Sequence, residues 1–302
     1  MAKKSSEIEK LLKSLPYKND ANGNPTLKRE FVKNSDYFSD LGLLVNERYV
    51  TDTFPNIKSR EYLQFNNLYN TGFFDDYFAR QYKLLNDFYA AKPENFPKPV
   101  ALIVDDSNRR VGYITTPFGG NEVRNYIPRS VSLQEYLDNY KHWDEKLISE
   151  KMNRVTSLQD LIPRDELNNF ILKKGIKRLA NGERYLKEYR ARIDVYKARV
   201  EELNDIKKQI NETVKYVNQN GLSHNNLYLE NIVIYWDENK KVKVGFINPI
   251  NKQDIKSYFF ASDEHRVKSV NHSIKWAEFK NKMLINKYTE KYKSLYPGFR
   301  IR

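Results

Sequence analysis

The chain has 302 residues, 40% of them hydrophobic and 14% aromatic, no cysteine and a formal charge of +13. Length and aromatic content exclude a minimal module and a mainly disordered polymer. The lack of cysteine excludes disulfides, a thiolate zinc site and a Cys nucleophile, and fits a reducing compartment. Nothing approaches the ~20 apolar residues of a membrane span, and residues 1–15 lack the apolar run of a signal peptide. The expectation is a soluble cytoplasmic protein, or a virion component if the source is viral. The charge favours anionic partners, but Lys and Arg interleave with Glu, as over 199–202, which reads as solvated helix faces.

Residues 1–36 read as an N-terminal arm, because Asn19-Asp-Ala-Asn-Gly-Asn-Pro25 is a run of turn formers that sustains neither helix nor strand. Residues 37–117 read as a small sheet lobe. Apolar pieces at Leu43-Leu44-Val45, Tyr49-Val50 and Tyr62-Leu63-Gln64-Phe65 predict short strands. Tyr77, Phe78, Tyr82, Leu85 and Phe88 recur at helical spacing and predict a helix over 75–89, stopped by Pro93, Pro97 and Pro99. Two apolar runs, 100–104 and 111–115, flank Asp105-Asp106-Ser107-Asn108 and predict a hairpin. Pro117-Phe118-Gly119-Gly120 then marks the boundary to a helical lobe, 118–302.

Within that lobe, Ser132 followed by Glu135 is a capping-box pattern and predicts a helix start. Leu186, Tyr189, Ile193, Tyr196, Val200, Leu203, Ile210, Val214 and Val217 form one seam, which predicts a single long helix or a coiled-coil arm. Asn181-Gly182 predicts a turn before it, so residues 158–180 are expected to pack back as the other half of a helical hairpin. Residues 142–199 are expected to form a basic helical insertion.

The segment Gly221-Leu-Ser-His224-Asn-Asn226-Leu227-Tyr-Leu-Glu-Asn231-Ile-Val-Ile234 is followed by a polar stretch over 237–241 and by Val242-Lys-Val-Gly-Phe-Ile-Asn248-Pro249. It resembles the catalytic region of the protein-kinase-like superfamily, where a helix leads into His-x-Asp-Leu-x-x-x-Asn and a hairpin leads to a metal-binding Asp. His224, Leu227 and Asn231 match that spacing. The resemblance covers residues 45–248 and implies that the catalytic Asp stands at Asn226 and the metal-binding Asp at Asn248. An amide has no lone pair basic enough to take a hydroxyl proton at neutral pH, and hard cations are held chiefly by carboxylates. The resemblance further puts the phosphate-pairing Lys at Gln64 and its Glu partner at Gln81, while no glycine occurs between Val45 and Thr71 to cradle phosphates.

The fold expected is α+β, a two-lobed protein-kinase-like fold with a small sheet lobe, a helical lobe and a long helical hairpin insertion, catalytically degenerate at His224, Asn226, Asn231 and Asn248 and at Gln64 and Gln81. His224 itself reads as architectural. His142, His265 and His272 show no metal-ligand spacing, and Asp263-Glu264-His265 reads as a polar loop. No catalytic residue, metal or cofactor is assigned; a nucleotide bound without metal is left open. The expected function is scaffolding: Lys173, Lys174, Lys177, Arg178, Arg184, Lys187, Arg190 and Arg192 of the insertion dock a macromolecule, foremost a protein, with nucleic-acid phosphate second. Two other readings stay open. One is a divergent small-molecule phosphotransferase using a carboxylate such as Glu230 or Asp237; the other is a structural or nucleic-acid-associated protein of a virus or phage.

Overall fold

The computed structural model describes residues 15–32, 44–47, 73–116, 118, 130–155, 161, 176–237, 239, 241–249 and 263–295. The first half carries β1 (Lys18–Asn19), β2 (Pro25–Lys28), α1 (Arg29–Val32), β3 (Leu44–Glu47), α2 (Phe73–Ala91), β4 (Pro99–Val104) and β5 (Arg110–Thr115). The second carries β6 (Ser130–Ser132), α3 (Leu133–Arg154), α4 (Ile176–Gln219), a 3-10 turn (Leu229–Asn231), β7 (Ile232–Trp236), β8 (Val242–Phe246) and α5 (Asp263–Leu295). The class is α+β.

Five strands form one sheet in the order β1-β2-β4-β5-β3. The turn formers near the N terminus build part of it. Asp20 accepts the backbone N–H groups of Asn22 and Asn24 at 2.9 Å each, and Gly23 takes φ +78°, which turns β1 onto β2. β2 then pairs parallel with β4, Thr26 opposite Leu102, and buries Leu27. The expected arm over 1–36 is therefore corrected across its described part. A run that cannot sustain a long element suits a tight hairpin, and four residues are too few to display alternation. Arg110 fastens the turn through a 2.9 Å ion pair with Asp20. Burial raises the Asp20 pKa, but hydrogen bonds from Arg110, Asn24 and Asn22 outweigh it and bring it down to about 2.

β4 and β5 form the expected hairpin, and β3 joins its edge with Leu44 opposite Thr115. The strand pieces at Tyr49-Val50 and 62–65, Gln64 included, lie outside the described residues. α2 packs on β4 and β5 and is buried along the face that predicted it, through Tyr77, Phe78, Tyr82, Leu85 and Phe88, the last of which reaches the core around Phe96 and Phe246.

β6, β7 and β8 form a three-stranded antiparallel sheet. α3 starts where the sequence predicts, with Ser132 Oγ accepting the Glu135 N–H at 3.1 Å. The seam from Leu186 to Val217 lies on one helix of 44 residues. That helix continues through Asn181-Gly182, where a turn is expected, because one helical glycine costs only about 1 kcal/mol against alanine. Burial of Leu186 and Ile193 against Tyr292 of α5 outweighs it.

Residues 176–180 therefore belong to α4 itself, and the expected insertion boundary at 142 falls inside α3. Nor does this part of α4 stand free. Ala191, Val195 and Tyr196 share a core with Ile148 of α3, and α5 runs along α4. A heptad-like seam marks a helix with a packing partner without saying whether that partner lies in the same chain.

The solvated reading of 199–202 fails at Arg199, which is 4% exposed. Its guanidinium bonds Asp144 at 2.7 Å and Glu202 at 2.6 Å, and donates to the Tyr136 hydroxyl.

Candidate functional site

The helix α4 ends through Gly221, whose φ of +73° lets the Leu222 N–H return to the Val217 carbonyl at 3.0 Å. The chain then enters the loop that carries His224 and Asn226. Asp263, the first residue of α5, holds that loop: its Oδ2 accepts the His224 backbone N–H at 2.9 Å and the Ser223 hydroxyl at 3.0 Å. Burial raises the Asp263 pKa, opposed by these hydrogen bonds and by Arg266. The expected polar loop at 263–265 is thus the first turn of a helix, where two acidic residues suit the positive end of its dipole.

Three amides converge beyond this anchor. Asn226 Nδ2 donates to the Asn248 carbonyl at 2.7 Å, Asn248 Nδ2 donates to Asn231 Oδ1 at 3.1 Å, and Asn231 Nδ2 donates to the Asn226 carbonyl at 3.2 Å. The three bonds close a ring. The Asn231 carbonyl also accepts the Ile247 N–H at 3.0 Å. Asn248 takes φ +52°, in the left-handed region that Asn tolerates better than most side chains.

The ring spans both sheets. Tyr113 of β5 donates its hydroxyl to Asn248 Oδ1 at 2.6 Å. The turn after α2 adds a second tie, with the Asn95 amide donating to the Val244 carbonyl at 2.6 Å and the Phe246 N–H returning to the Asn95 carbonyl at 2.9 Å. A third comes from Phe118, stacked on Tyr235 at 5.4 Å. Gly245 is required for that approach, since a Cβ there would sit 2.5 Å from the Phe118 ring.

His224 belongs to the packing. Its ring lies 5.7 Å from Phe88, 6.3 Å from Phe96 and 5.7 Å from Phe246, and neither ring nitrogen makes a well-formed hydrogen bond. Burial lowers its pKa from 6.5 to about 4; backbone groups at His224 and Ile247 oppose this and Arg266 adds to it. The imidazole is neutral at pH 7.

Of the remaining expected positions, Gln81 is buried on α2 and donates to the Tyr77 hydroxyl at 2.9 Å, one turn earlier. Gln64, Lys173 and Lys174 lie outside the described residues, and Lys177 and Arg178 fall in the opening turns of α4. Arg184 is exposed. Lys187 pairs with Glu183 at 2.8 Å, Arg190 with Asp194 at 3.2 Å, and Arg192 with both Glu188 at 2.8 Å and Glu145 at 2.6 Å. These local carboxylates offset the charge that made the stretch read as a phosphate surface.

Neither alternative carboxylate is a member of the ring. Glu230 is exposed, and Asp237 accepts the N–H groups of Asn239 and Lys241 at 2.9 Å in its own hairpin turn. The hydrogen bond from the Lys241 N–H holds the Asp237 pKa below its ordinary value. Asp263 was missed by sequence reading; the signal that could have found it is the Asp-Glu pair preceding Val270, Ile274 and Ala277 at helical spacing.

No family model, curated protein or solved structure matches the chain. Among the described residues, no three His, Asp or Glu side chains are grouped to hold a metal ion, and no helix is long and apolar enough to cross a membrane.

Proposed function

We propose that the chain is a non-catalytic binding protein of protein-kinase-like, two-lobed build, in which the position of the phosphotransfer centre is occupied by an amide ring that ties the two sheets together. One observation carries this reading: the 2.7 Å bond from Asn226 Nδ2 to the Asn248 carbonyl. An ionised carboxylate at 226 would bring lone pairs, with no proton, against that carbonyl oxygen. The loop geometry is therefore built around an amide donor. The order of helix, His224 loop and hairpin, and the meeting of Asn226, Asn231 and Asn248, support the kinase-like half of the proposal. The role that follows is docking of a macromolecule, foremost a protein, without phosphate transfer.

Thermal stability measured with ATP, with and without Mg²⁺, tests this. The expected outcome is no Mg²⁺-dependent rise in Tm and no ATP turnover. A Mg²⁺-dependent rise together with turnover that Asn231→Ala abolishes would overturn it.

A further inference from the structure

Six large hydrophobic side chains are exposed among the described residues, and the three most exposed share one helix face. Trp276, Phe279 and Met283 of α5 are 55%, 51% and 58% open, at i, i+3 and i+7. The opposite face, with Val270, Ile274 and Ala277, is in the core. Trp276 and Phe279 stack at 5.6 Å, which holds the aromatic surface in one arrangement. A contiguous apolar stripe of this kind marks an interaction site more often than scattered exposed residues do.

The stripe borders a groove of about 500 Å³ between α3 and α5, with Leu137 and Tyr140 on one wall, Trp276 and Ala277 on the other, and Leu229 between. The α5 side of the groove is basic, while the α3 wall carries one carboxylate, Asp138, which accepts the Gln134 amide at 2.7 Å. From His272 to Lys287 the chain has Lys275, Lys280, Lys282 and Lys287 but one carboxylate, Glu278, which is paired with Lys282. Lys275, Lys280 and Lys287 have no carboxylate partner among the described residues, and Lys280 lies 5.2 Å over the Trp276 ring.

We propose that the α3–α5 groove and the Trp276–Phe279–Met283 stripe dock an acidic amphipathic helix of a partner protein. Its apolar side chains enter the groove, and its carboxylates face Lys275, Lys280 and Lys287. The concave groove favours a protruding helix over a flat bilayer. The charge disfavours a second copy of this chain, which brings the same +13 and the same lysines. The inference rests on the non-catalytic binding reading and moves its docking surface from the basic stretch of α4 to α5.

The test uses a labelled synthetic helix of about 18 residues, five turns, with Leu and Phe on one face and Glu on the other, and a control with Lys replacing Glu. Fluorescence anisotropy with the full chain is expected to show the acidic peptide bound, and weakened by raised salt. The Trp276→Ser/Phe279→Ser double variant is expected to bind about ten-fold more weakly and Lys280→Glu about three-fold more weakly, both at unchanged Tm because the positions are exposed. No binding, or binding equal in the double variant, would sink the proposal. So would Trp276-dependent binding to phosphatidylserine vesicles, or a dimer that Trp276→Ser dissociates. The readout needs no nucleotide, so ATP turnover would sink the non-catalytic reading separately from this result.

Discussion

Two buried polar clusters stabilise this molecule in opposite ways. The cluster between α3 and α4 is charged: Arg199 is held by Asp144, Glu202 and the Tyr136 hydroxyl. The cluster at the meeting of the two sheets is neutral, made of Asn226, Asn231, Asn248 and Tyr113, with neutral His224 behind it. Burial opposes the Arg199 charge, but the partners it faces outweigh that and hold its pKa above the ordinary value. Burial raises the Asp144 carboxyl against the pull of Arg199. A charged group survives desolvation only with its partners in place, whereas amides carry donor and acceptor together and can satisfy one another without net charge. The chain does bury charge where helices surround it, so the neutrality of the ring is a property of that site.

Removing one member from each cluster should break the comparison at different depths. Arg199→Met leaves Asp144 buried without its partner and is expected to lower unfolding free energy by about 3–5 kcal/mol in urea titrations. Adding Asp144→Leu should recover most of the loss. If the single variant costs no more than an exposed substitution, the Arg199–Asp144 pair does not tie α4 to α3.

The neutral cluster should show itself through pH. His224 has a pKa of about 4 in the fold against an ordinary 6.5, so the unfolded chain binds its proton first as pH falls. Stability is then intact above about pH 6.5 and drops by about 3 kcal/mol on acidification to about pH 4. In urea titrations across that window, His224→Phe should flatten the slope relative to the parent. Equal slopes would place the imidazole in a hydrated site.

The smallest effect is expected inside the ring. Asn226→Asp replaces the donor that faces the Asn248 carbonyl, at a cost of about 1–3 kcal/mol at pH 7. The deficit should shrink at acid pH, where the protonated carboxyl can donate again. A variant as stable as the parent at pH 7 would mean that the loop does not depend on an amide donor.

Much of the fold was legible because its causes are local. The α2 face, the β4–β5 hairpin, the Ser132 cap and the long seam of α4 follow from periodicity and end signals along the local chain. The site was legible in part: Asn226, Asn231 and Asn248 were singled out by the resemblance to the kinase-like catalytic region, but not the bonds among them. Asp263 was hidden because its partner loop lies about 40 residues away, and a polar Asp-Glu-His reads alike in a loop and a helix start. Arg199 was hidden because a charged residue beside Glu202 looks solvated until Tyr136 and Asp144 close over it.

The sequence by itself determined the α2 face, the Ser132 start of α3, the α4 seam, the β4–β5 hairpin and that amides stand at 226, 231 and 248, since propensity, capping and residue identity are properties of the local chain. Only the tertiary structure decided that 18–28 joins a sheet, that α4 continues through Gly182 and lies along α5, that Lys187, Arg190 and Arg192 of the expected docking surface are paired with carboxylates, and that the three amides close on one another. Burial and hydrogen-bond partnership depend on what lies opposite a side chain, and that is settled when distant segments meet.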